Sequence, residues 1–396
     1  MEIRCAQSAL GSVQAKIEDI ASQLELDARG RPDFLVLHFG ADLDAAALRE
    51  EAIARTGAEF LHGGSSCLGV MGNAGADISG STLGAFAIWD SEGSYGTSSA
   101  ELGDDAEAAA RNALVAALMN AGRPDELPEM IWLTVAPGRE EDVISGLRSI
   151  VGPESLIVGG SSADNDVSGK WIQFSQNDLH SDGIVVSVLF PSGPVSSAYH
   201  SGYAPTGENG IATRVEGRRL HEIDGRPALQ VLNEWSSGAI PIAGEEQRSI
   251  LAESTLWPVG RVVREIASVP FHILAHPAVA NPDGSVDLFA AVKAGDQLWQ
   301  MRGSADSLVA RAGRVAARAN RASGENAAGA LVVYCGGCML AVRDRMDEVS
   351  AGISAELGDK PWLGVFTFGE QGVPAGGESR HGNLMISCTM FAKPDL

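Results

Sequence analysis

Two copies of the run Gly-Gly-Ser-Ser, at residues 63–66 and 159–162, are the part of this sequence best suited to gripping a small molecule. Glycine lets backbone amides approach an anion closely, and serine adds hydroxyl donors. A carboxylate or a phosphate would suit such loops, although the same glycines are also typical of tight turns. The candidate ligand-binding residues from these runs are Gly63, Gly64, Ser65, Ser66, Gly159, Gly160, Ser161 and Ser162.

A further candidate group near the C-terminus adds an acid to these amides and hydroxyls. Glu370 follows Gly369, and its carboxylate would receive an ammonium group, so that both ends of an amino acid would find a partner. His381 and Asn383 open the last predicted strand, where alternate residues share one face of the sheet. Their side chains either line the site or hold the glycine-rich loop that precedes them. All four residues are therefore candidate ligand contacts.

Cysteine chemistry is the main alternative to ligand binding alone. Cys335 and Cys338 form a Cys-x-x-Cys pair between a predicted strand and a helix, a position that permits a redox motif. A zinc site would need a second ligand pair at suitable spacing, and none is evident. Cys67 follows the first Gly-Gly-Ser-Ser run, yet Ala163 stands at the matching place after the second. The sequence therefore predicts no metal site and no catalytic residue, and an enzyme of unknown reaction remains an alternative.

Both Gly-Gly-Ser-Ser runs, and the Gly369–Glu370 pair, follow a segment that reads strand, amphipathic helix, strand. In open α/β sheets, ligands bind beyond the carboxyl ends of the strands, so the candidate residues should lie there as loops. The three segments are predicted at residues 34–39, 44–55 and 59–61, at 130–135, 140–150 and 156–158, and at 331–335, 341–357 and 362–365.

The second and third segments are each preceded by a predicted β-hairpin and a helix. The hairpins are predicted at residues 83–99 and 285–302, and the helices at 104–121 and 304–320. Because this longer pattern occurs once in each half of the chain, it indicates an internal duplication. Strands joined through helices pair in parallel, and hairpins add antiparallel strands. The predicted fold is α/β, with two related halves whose mixed parallel and antiparallel sheets are flanked by helices.

The composition limits the function. The chain has 396 residues and a formal net charge of −22, whereas nucleic acids and anionic membranes both attract basic proteins. No apolar run approaches the ~20 residues of a membrane span, and no secretory signal opens the sequence. Five cysteines are an odd number and too few for a disulfide framework. We therefore expect a reduced, cytoplasmic protein with no nucleic-acid or membrane partner.

Several of these motifs resemble FIST proteins. The two Gly-Gly-Ser-Ser runs, Ser-Asp-Gly-Ile-Val-Val at 181–186 and Gly-Tyr at 202–203 resemble the FIST N-terminal domain. Cys-Gly-Gly at 335–337, the run 364–370 that ends in Gly-Glu, and His-Gly-Asn at 381–383 resemble the FIST C-terminal domain. The resemblance covers nearly the whole chain, and the Gly-Glu pair followed by His-Gly-Asn is its most distinctive part.

The resemblance implies a sensory protein. It divides the chain into an N-terminal helix within residues 1–30, a FIST N-terminal domain at 31–225 and a FIST C-terminal domain at 226–396. We predict a ligand-binding protein, not an enzyme, that takes an amino-acid-like or other small carboxylate and signals to a separate partner. One branch of the family resembles a haem-binding nitric oxide sensor that regulates a histidine kinase or a cyclic-di-GMP enzyme. Haem is thus an alternative, although none of the eight histidines lies in a haem-specific motif.

Overall fold

Three six-stranded mixed sheets and one nine-stranded sheet form the fold in the computed structural model, which describes residues 1–324, 326–374 and 377–394. The predicted α/β fold, with mixed sheets flanked by helices, is confirmed. Within the described residues, the three smaller sheets share one strand order, so the repeat extends beyond the two related halves predicted from the sequence. Each repeat is called a unit below.

The first unit contains a strand that the sequence prediction missed. Residues 1–30 were expected to hold a single helix, but β1 precedes that helix and pairs with β6 of the same sheet. The elements of the first unit are β1 (Glu2–Ser8), α1 (Val13–Gln23), α2 (Leu26–Arg29), β2 (Phe34–Gly40), α3 (Ala45–Thr56), β3 (Leu61–Ser66), β4 (Val70–Gly72), β5 (Gly75–Asp77) and β6 (Leu83–Trp89).

The second unit repeats the same sequence of a strand, a helix, a strand, a helix and a strand. Its sheet order β7-β12-β8-β9 matches the order β1-β6-β2-β3 of the first unit. Its elements are β7 (Ser94–Glu101), α4 (Ala106–Asn120), β8 (Met130–Val135), α5 (Glu140–Val151), β9 (Ile157–Ser161), β10 (Gln173–Ser175), β11 (Leu179–His180) and β12 (Gly183–Phe190).

The third unit carries a long insertion, residues 204–302, after its first strand, β13 (Val195–Ser201). The insertion forms the nine-stranded sheet with two short helices on it. Its elements are β14 (Ala204–Glu216), β15 (Arg219–Ile223), β16 (Arg226–Pro227), α6 (Ala228–Trp235), β17 (Arg248–Ser249), α7 (Leu251–Ser254), β18 (Val259–Ile266), β19 (Val269–Ala275), β20 (Pro277–Ala280), β21 (Val286–Leu288) and β22 (Gln297–Arg302).

The rest of the third unit restores the common order, as β13-β27-β23-β24. Where one helix was predicted at 341–357, the chain forms α9, a 3-10 turn at Arg343–Arg345 and α10. The elements are α8 (Ala305–Ser323), β23 (Ala327–Cys335), α9 (Gly336–Ala341), α10 (Met346–Leu357), β24 (Trp362–Thr367), β25 (Glu370–Gly372), β26 (Arg380–Gly382) and β27 (Met385–Ala392). The predicted boundary at residues 225–226 falls inside the nine-stranded sheet, which takes strands from both sides of it.

The helices α1, α3, α4 and α8 begin where the sequence supplies a capping side chain. The Asp44 carboxylate accepts hydrogen bonds from the Ala46 and Ala47 amides at 3.1 Å and caps α3. Asp105 caps α4 in the same way, and Ser304 forms a capping box with Ser307 at the start of α8. Such caps satisfy the free amides of a first helical turn and stabilise a helix by about 1 kcal/mol.

Both predicted hairpins are wrong, because β6 and β7 belong to different sheets, and β21 and β22 lie in one sheet but do not pair with each other. β6 pairs with β1 and β2, whereas β7 pairs with β12 in the second unit. Similarly, β21 pairs with β15 and β20, but β22 pairs with β14 and β18. At the first turn, the Asp90 carboxylate accepts from the Tyr95 hydroxyl and the Ser192 amide, both at 2.8 Å. These bonds hold the turn in the conformation that carries the chain from the sheet of the first unit to the sheet of the second.

The three units exchange strands in a cycle. β3 pairs with β10 of the second unit, β9 with β25 of the third unit, and β24 with β4 of the first unit. Alternate side chains of each sheet face either its own helices or a shared central core. In β2, for example, Phe34 and Val36 join the central core, while Leu35 and Leu37 pack on the helix side. The carboxyl ends of β3, β9 and β24 therefore meet in the middle of the molecule.

Candidate functional site

The two Gly-Gly-Ser-Ser runs lie in strands, so their predicted placement in loops is wrong. Gly63 to Ser66 belong to β3 and Gly159 to Ser161 belong to β9, and Ser162 follows directly; all are buried. The glycines are needed for close packing. A Cβ atom on Gly63 would lie 2.1 Å from the Phe174 ring, and one on Gly160 would lie 2.3 Å from Cγ2 of Thr367. The absence of a side chain therefore lets the strands approach each other.

The strand ends are joined by a ring of three equivalent backbone hydrogen bonds. Ala163 N donates to Ser65 O at 3.0 Å, Phe368 N to Ser161 O at 3.2 Å, and Cys67 N to Phe366 O at 3.0 Å. Within the runs themselves, Ser65 N donates to Ile172 O at 2.9 Å and Ser161 N donates to Gly369 O at 2.7 Å, so these amides, which we expected to grip an anion, also hold the units together.

The serine hydroxyls of the same runs also have protein partners in most cases. Ser65 Oγ accepts from Ile172 N at 2.9 Å, and Ser66 Oγ accepts from Phe366 N at 2.8 Å. Ser162 Oγ is the exception among the four, being buried without a hydrogen-bond partner. Most of these polar groups therefore stabilise the junction of the strands.

Glu370 is buried and its carboxyl group is already satisfied. Its oxygens accept from Met385 N and from the Thr367 hydroxyl, each at 2.9 Å. Burial, and then the neighbouring Cys335, raise the pKa of Glu370 well above its usual value. Because both carboxyl oxygens are enclosed and bonded to protein donors, Glu370 holds the start of β25 to Thr367 and Met385, and its predicted contact with a ligand's ammonium group stays a prediction.

His381 and Asn383 do not share a face at the start of the last strand, as was predicted. His381 lies in β26, while Asn383 lies in the turn before β27, where Leu384 has a left-handed φ of 57°. The turn breaks the alternation of the strand, and the two side chains line different cavities.

The larger cavity, of about 620 Å³, lies between α5, the insertion and β26, and we call it the charged cavity. Among the described residues that line it, four carry positive charge and two are glutamates. The residues that define it are Arg148, Arg261, Lys293, Glu378, Arg380 and His381, with Glu141 at one wall.

The arginines of the charged cavity are only partly compensated. Glu378 Oε2 pairs with Arg148 at 2.8 Å and with Arg380 at 3.3 Å. Burial, with the nearby Arg261 and Arg148, lowers the pKa of Arg380 from its usual value. The Nε group of Arg148 is buried and has no hydrogen-bond partner among the residues that the structure describes. The cavity therefore presents unpaired positive charge in a protein whose net charge is −22.

A second group of acids supports the wall of the charged cavity. Arg218 of the insertion forms ion pairs with both Glu140 and Glu141 of α5, and Ser161 Oγ donates to Glu140 at 2.7 Å. Although burial opposes it, the neighbouring His381 and Arg218 hold the pKa of Glu140 at about 2.

Glu140, Glu141 and His381 also place possible metal-ligand atoms within 4.8 Å of one another. Arg218 already pairs with both carboxylates, and Ala291 N donates to Glu141 at 2.6 Å. The cluster is thus an ion-pair network between α5 and the insertion, not an open metal site.

The smaller cavity, of about 420 Å³, lies between α7, α9 and His276, the residue before β20, and we call it the apolar cavity. Its walls are mainly hydrophobic, with the hydrogen-bonding side chains of His276 and Asn383 on one side, together with that of Thr255, whose hydroxyl donates to Leu251 O at 2.6 Å. The residues that define it are Val167, Leu251, Leu256, His276, Phe289, Leu340, Phe368 and Asn383.

The cysteines do not have the properties of a redox or nucleophilic site. All five are free thiols, and Cys67, Cys335, Cys338 and Cys388 are buried. Burial raises the pKa of both Cys67 and Cys388 to about 12, and it raises the pKa of Cys335 well above its usual value. Since the thiolate is the reactive form, Cys67, Cys335 and Cys388 are poor nucleophiles at neutral pH.

His276 is the side chain that meets the chemical requirement for an axial haem ligand. It lines the apolar cavity, and its Nε2 donates to Leu251 O at 3.1 Å, because a carbonyl can only accept. Burial lowers the pKa of His276 to about 4, so the ring is neutral and Nδ1 keeps its lone pair. A ligating histidine typically has its other nitrogen fixed in this way.

The sequence prediction missed most residues of both cavities. Arg148, Arg261 and Arg380 come from α5, β18 and β26, and His276 lies between β19 and β20, so these residues are distant in the chain. Single arginines and histidines carry no motif, and the predicted pairing of strands was partly wrong. The sequence nevertheless gave one useful signal for the location of the cavities. Arg380 and Asn383 lie within two residues of His381, which was a predicted site residue.

Comparison with known proteins identifies relatives along the chain. The FIST N domain model matches residues 33–226 and the FIST C domain model matches residues 228–373. An uncharacterized protein of Mycobacterium bovis is 29% identical over 235 residues, which cover 58% of this chain and 59% of the relative. Another, of Mycobacterium tuberculosis, is 28% identical over 243 residues, with the same coverage. The match thus spans about three fifths of the length of these curated relatives.

A solved structure also aligns over the chain. It is a cyanuric acid hydrolase from A. caulinodans, with a TM-score of 0.37 and 9% sequence identity, over 100% of this chain and 99% of that one. Among the described residues, no helix is long and apolar enough to cross a membrane.

Proposed function

Because the chain belongs to the FIST family of sensory domains, we propose that it senses a small carboxylate bound in the charged cavity. The observation that supports this proposal is the unpartnered Nε of Arg148, buried beside Arg261 and Arg380. Three guanidinium groups repel one another, and one glutamate cannot neutralise them all. A carboxylate ligand would relieve the repulsion and form charge-assisted hydrogen bonds.

An amino acid is the favoured form of this carboxylate. The cavity also contains Glu141 and Glu378, of which Glu378 has a half-exposed side chain. A glutamate at the edge of an arginine cluster would receive an ammonium group while the arginines receive the carboxylate. The ionic ends of the ligand are therefore assigned to side chains of α5 and β26, in place of the Gly-Gly-Ser-Ser runs.

Signalling would follow from the position of the cavity between separate parts of the fold. Arg148 belongs to α5, Arg261 and Lys293 to the insertion, and Arg380 to β26. A ligand that contacts all of them favours the arrangement in which they lie close together, and so shifts the population of states. The output partner, a histidine kinase or a cyclic-di-GMP enzyme in our prediction, would recognise that arrangement.

The test is a thermal-shift screen of amino acids and other small carboxylates against the wild-type protein and Arg148→Gln. A ligand at about 100 times its Kd adds about 2.7 kcal/mol of stability, which raises the melting temperature measurably. Arg148→Gln should remove the effect, because it removes both the charge and the unpartnered donor.

The control is Arg111→Gln, which changes an arginine that pairs with Glu107 on the surface of α4. This variant should respond to the ligand as the wild type does. A flat response to every carboxylate, or an equal response in Arg148→Gln, would contradict the proposal.

Haem binding is the second candidate function, and the geometry of His276 supports it. Haem would supply an iron able to bind nitric oxide, while Leu251 O would orient His276 through its Nε2–H group. Haemin added to the purified protein should give an absorption band near ~400 nm that His276→Gln abolishes. A protein that takes up no haemin, or a band that is unchanged in the variant, would exclude His276 as the ligand.

A further inference from the structure

We infer that the apolar cavity is a second binding site, separate from the carboxylate site, for a neutral apolar molecule that carries a lactam-like edge. By a lactam-like edge we mean a carbonyl acceptor next to an N–H donor. The inference goes beyond the carboxylate proposal, because it concerns a different cavity and a different class of ligand, and it competes with the haem candidate, which would use the same His276 Nδ1 atom. It stands on the shape of the cavity and on two adjacent hydrogen-bonding groups.

The size and walls of the apolar cavity suit a small molecule. Its volume of about 420 Å³ lies within the range of about 300–1,000 Å³ that is typical of such sites. Leu256, Phe289 and Phe368 line the interior. Val167 and Leu340 are 42% and 45% exposed, so large apolar side chains remain in contact with solvent at the cavity.

One of these exposed residues is held in an unfavourable conformation. Val167 has a φ of 60°, which is rare and unfavourable for a β-branched residue. The Asp164 carboxylate accepts from the amides of Val167 and Lys170, at 2.6 and 2.8 Å, and so fixes the turn. The surrounding structure therefore keeps an apolar side chain beside the cavity at an energetic cost.

Asn383 supplies a hydrogen-bond donor without a partner. Its Oδ1 accepts from His276 N at 3.1 Å, which fixes the orientation of the amide. Its Nδ2 has no hydrogen-bond partner within the described part of the chain, and the residue is only 1% exposed. A buried donor left unsatisfied destabilises the protein, and a ligand carbonyl at this place would satisfy it.

His276 supplies an acceptor next to that donor. Its Nε2–H is used by Leu251 O, which leaves Nδ1 of the neutral ring as a lone pair. Among the residues that the structure describes, no hydrogen bond is made to this Nδ1 atom. Because the His276 amide is bonded to the Asn383 side chain, the donor and the acceptor belong to neighbouring groups. They match a ligand with a carbonyl and an N–H on one edge.

The ligand of this cavity should be uncharged. The described residues that line it include no aspartate, glutamate, lysine or arginine. An ion buried there would lose its hydration without gaining a partner of opposite charge. The apolar cavity therefore selects against the carboxylates that suit the charged cavity.

The test uses 2-quinolone, a neutral bicyclic lactam, as the probe in isothermal titration calorimetry. 1-Methyl-2-quinolone keeps the carbonyl and the shape but has no N–H donor. We expect 2-quinolone to bind the full-length protein, and the methylated probe to bind at least tenfold more weakly, since one lost hydrogen bond in a buried site costs about 1.4 kcal/mol or more. Absence of 2-quinolone binding, or equal binding of both probes, would overturn the inference.

Two variants, Gly337→Leu and Asn383→Asp, test whether 2-quinolone binds in the apolar cavity. Gly337→Leu would fill it, because a Cβ at Gly337 has ordinary contacts at 3.4–3.7 Å and the larger side chain extends into the cavity that Gly337 lines. The matched control is Gly352→Leu on α10, where a Cβ meets nothing within 4 Å. Asn383→Asp keeps the acceptor for His276 N and removes the donor.

We expect at least tenfold weaker 2-quinolone binding in Gly337→Leu and Asn383→Asp, and unchanged binding in Gly352→Leu. A thermal melt of each variant shows that it is folded, and Gly337→Ala replaces Gly337→Leu if the larger change unfolds the protein. Unchanged binding in the cavity variants would overturn the inference, as would a haemin band that depends on His276. Carboxylate binding to the charged cavity should persist in Gly337→Leu, so failure of one site is distinguishable from failure of the other.

Discussion

The charged cavity and the apolar cavity lie on either side of one short segment, yet they obtain their polarity in opposite ways. His381 lines the first and Asn383 the second, with one residue between them. Phe289 connects them, because its side chain lines the apolar cavity and its carbonyl lies 3.3 Å from His381 Nε2. In the charged cavity, polarity comes from ionised side chains. In the apolar cavity, it comes from two neutral groups that backbone contacts hold in place.

This difference determines how each cavity can select a ligand. Charge attracts any anion of suitable size, and that attraction depends on salt and on the neutralising partners nearby. A neutral donor and acceptor on an apolar wall instead reject ligands that leave either group unpaired. The predictions below separate these two mechanisms, beginning with the change that should have the largest effect.

The largest effect is expected from Glu140→Gln, which breaks the ion-pair network behind the charged cavity. Arg218 would lose one of its two carboxylates in an environment where Glu140 is 1% exposed. Removing one partner of a buried ion pair typically destabilises a protein by about 3–5 kcal/mol. Urea denaturation at pH 7 measures this change in the free energy of unfolding.

The control for that variant is Glu126→Gln, which affects a surface pair with Arg123. It should change stability by less than about 0.5 kcal/mol. If Glu140→Gln changed the free energy of unfolding as little, the wall of the charged cavity would not depend on the ion pairs of Arg218. The contrast between a cavity held by ion pairs and one held by neutral groups would then be weaker.

The next effect concerns pH and arises from the histidine of the apolar cavity. Burial lowers the pKa of His276 from 6.5 to about 4, so the unfolded chain binds a proton at a higher pH than the folded protein does. The stability linked to this group is complete above pH 6.5 and is lost as the pH falls towards 4. The difference corresponds to on the order of 3 kcal/mol.

Replacing this histidine tests the assignment. His276→Gln keeps a donor for Leu251 O but does not titrate, so it should reduce the loss of stability between pH 6.5 and 4. His38 and His200 have pKa values lowered to about 4 by burial and would still contribute in the variant. An unchanged pH profile in thermal melts would mean that His276 is protonated or exposed in the folded protein.

The positions of individual strands and helices were predicted from the sequence better than the pairing of the strands. The strands at 34–40, 130–135 and 362–367 and the helices after Asp44 and Asp105 were found, because periodicity and capping are local. The hairpins were wrong because the alternation of apolar and polar residues is the same whether a strand pairs with the next strand in the chain or with a more distant one. The cyclic exchange of β10, β25 and β4 depends on contacts between residues that are distant in the chain.

The candidate site shows the same limit. The Gly-Gly-Ser-Ser runs were located correctly at the carboxyl ends of strands, but a glycine needed for a ligand and a glycine needed for packing have the same sequence. Gly63 and Gly160 proved to be packed against Phe174 and Thr367. His381 and Asn383 each line a cavity, which leaves their role in ligand binding as a prediction. Arg148 and Arg218 carried no local signal, since their importance depends on what surrounds them.

Ligand affinity should depend on salt concentration moderately in the charged cavity and only weakly in the apolar cavity. Between about 0.1 M and about 1 M salt, the Debye length falls from about 10 Å to about 3 Å, and carboxylate binding to the charged cavity should weaken by roughly fivefold. Binding of 2-quinolone to the apolar cavity should change by less than about twofold over the same range, because neither the probe nor the lining is charged. Calorimetric titration of each ligand at both salt concentrations measures the two changes in affinity. Equal salt dependence of both ligands would contradict the proposed difference between the cavities.

The smallest expected effect compares a glycine beside the apolar cavity with one at the strand junction. Gly337→Ala should stabilise the protein by about 0.4–1 kcal/mol, because the new methyl group meets atoms at 3.4–3.7 Å and alanine restricts the unfolded chain. Gly160→Ala, the matched control, should instead destabilise by about 1–3 kcal/mol, since its methyl group would lie 2.3 Å from Thr367. Thermal unfolding of both variants gives the sign. Destabilisation by Gly337→Ala would show that the apolar cavity has no room at this wall, and Gly337→Leu would then be unsuitable for filling it.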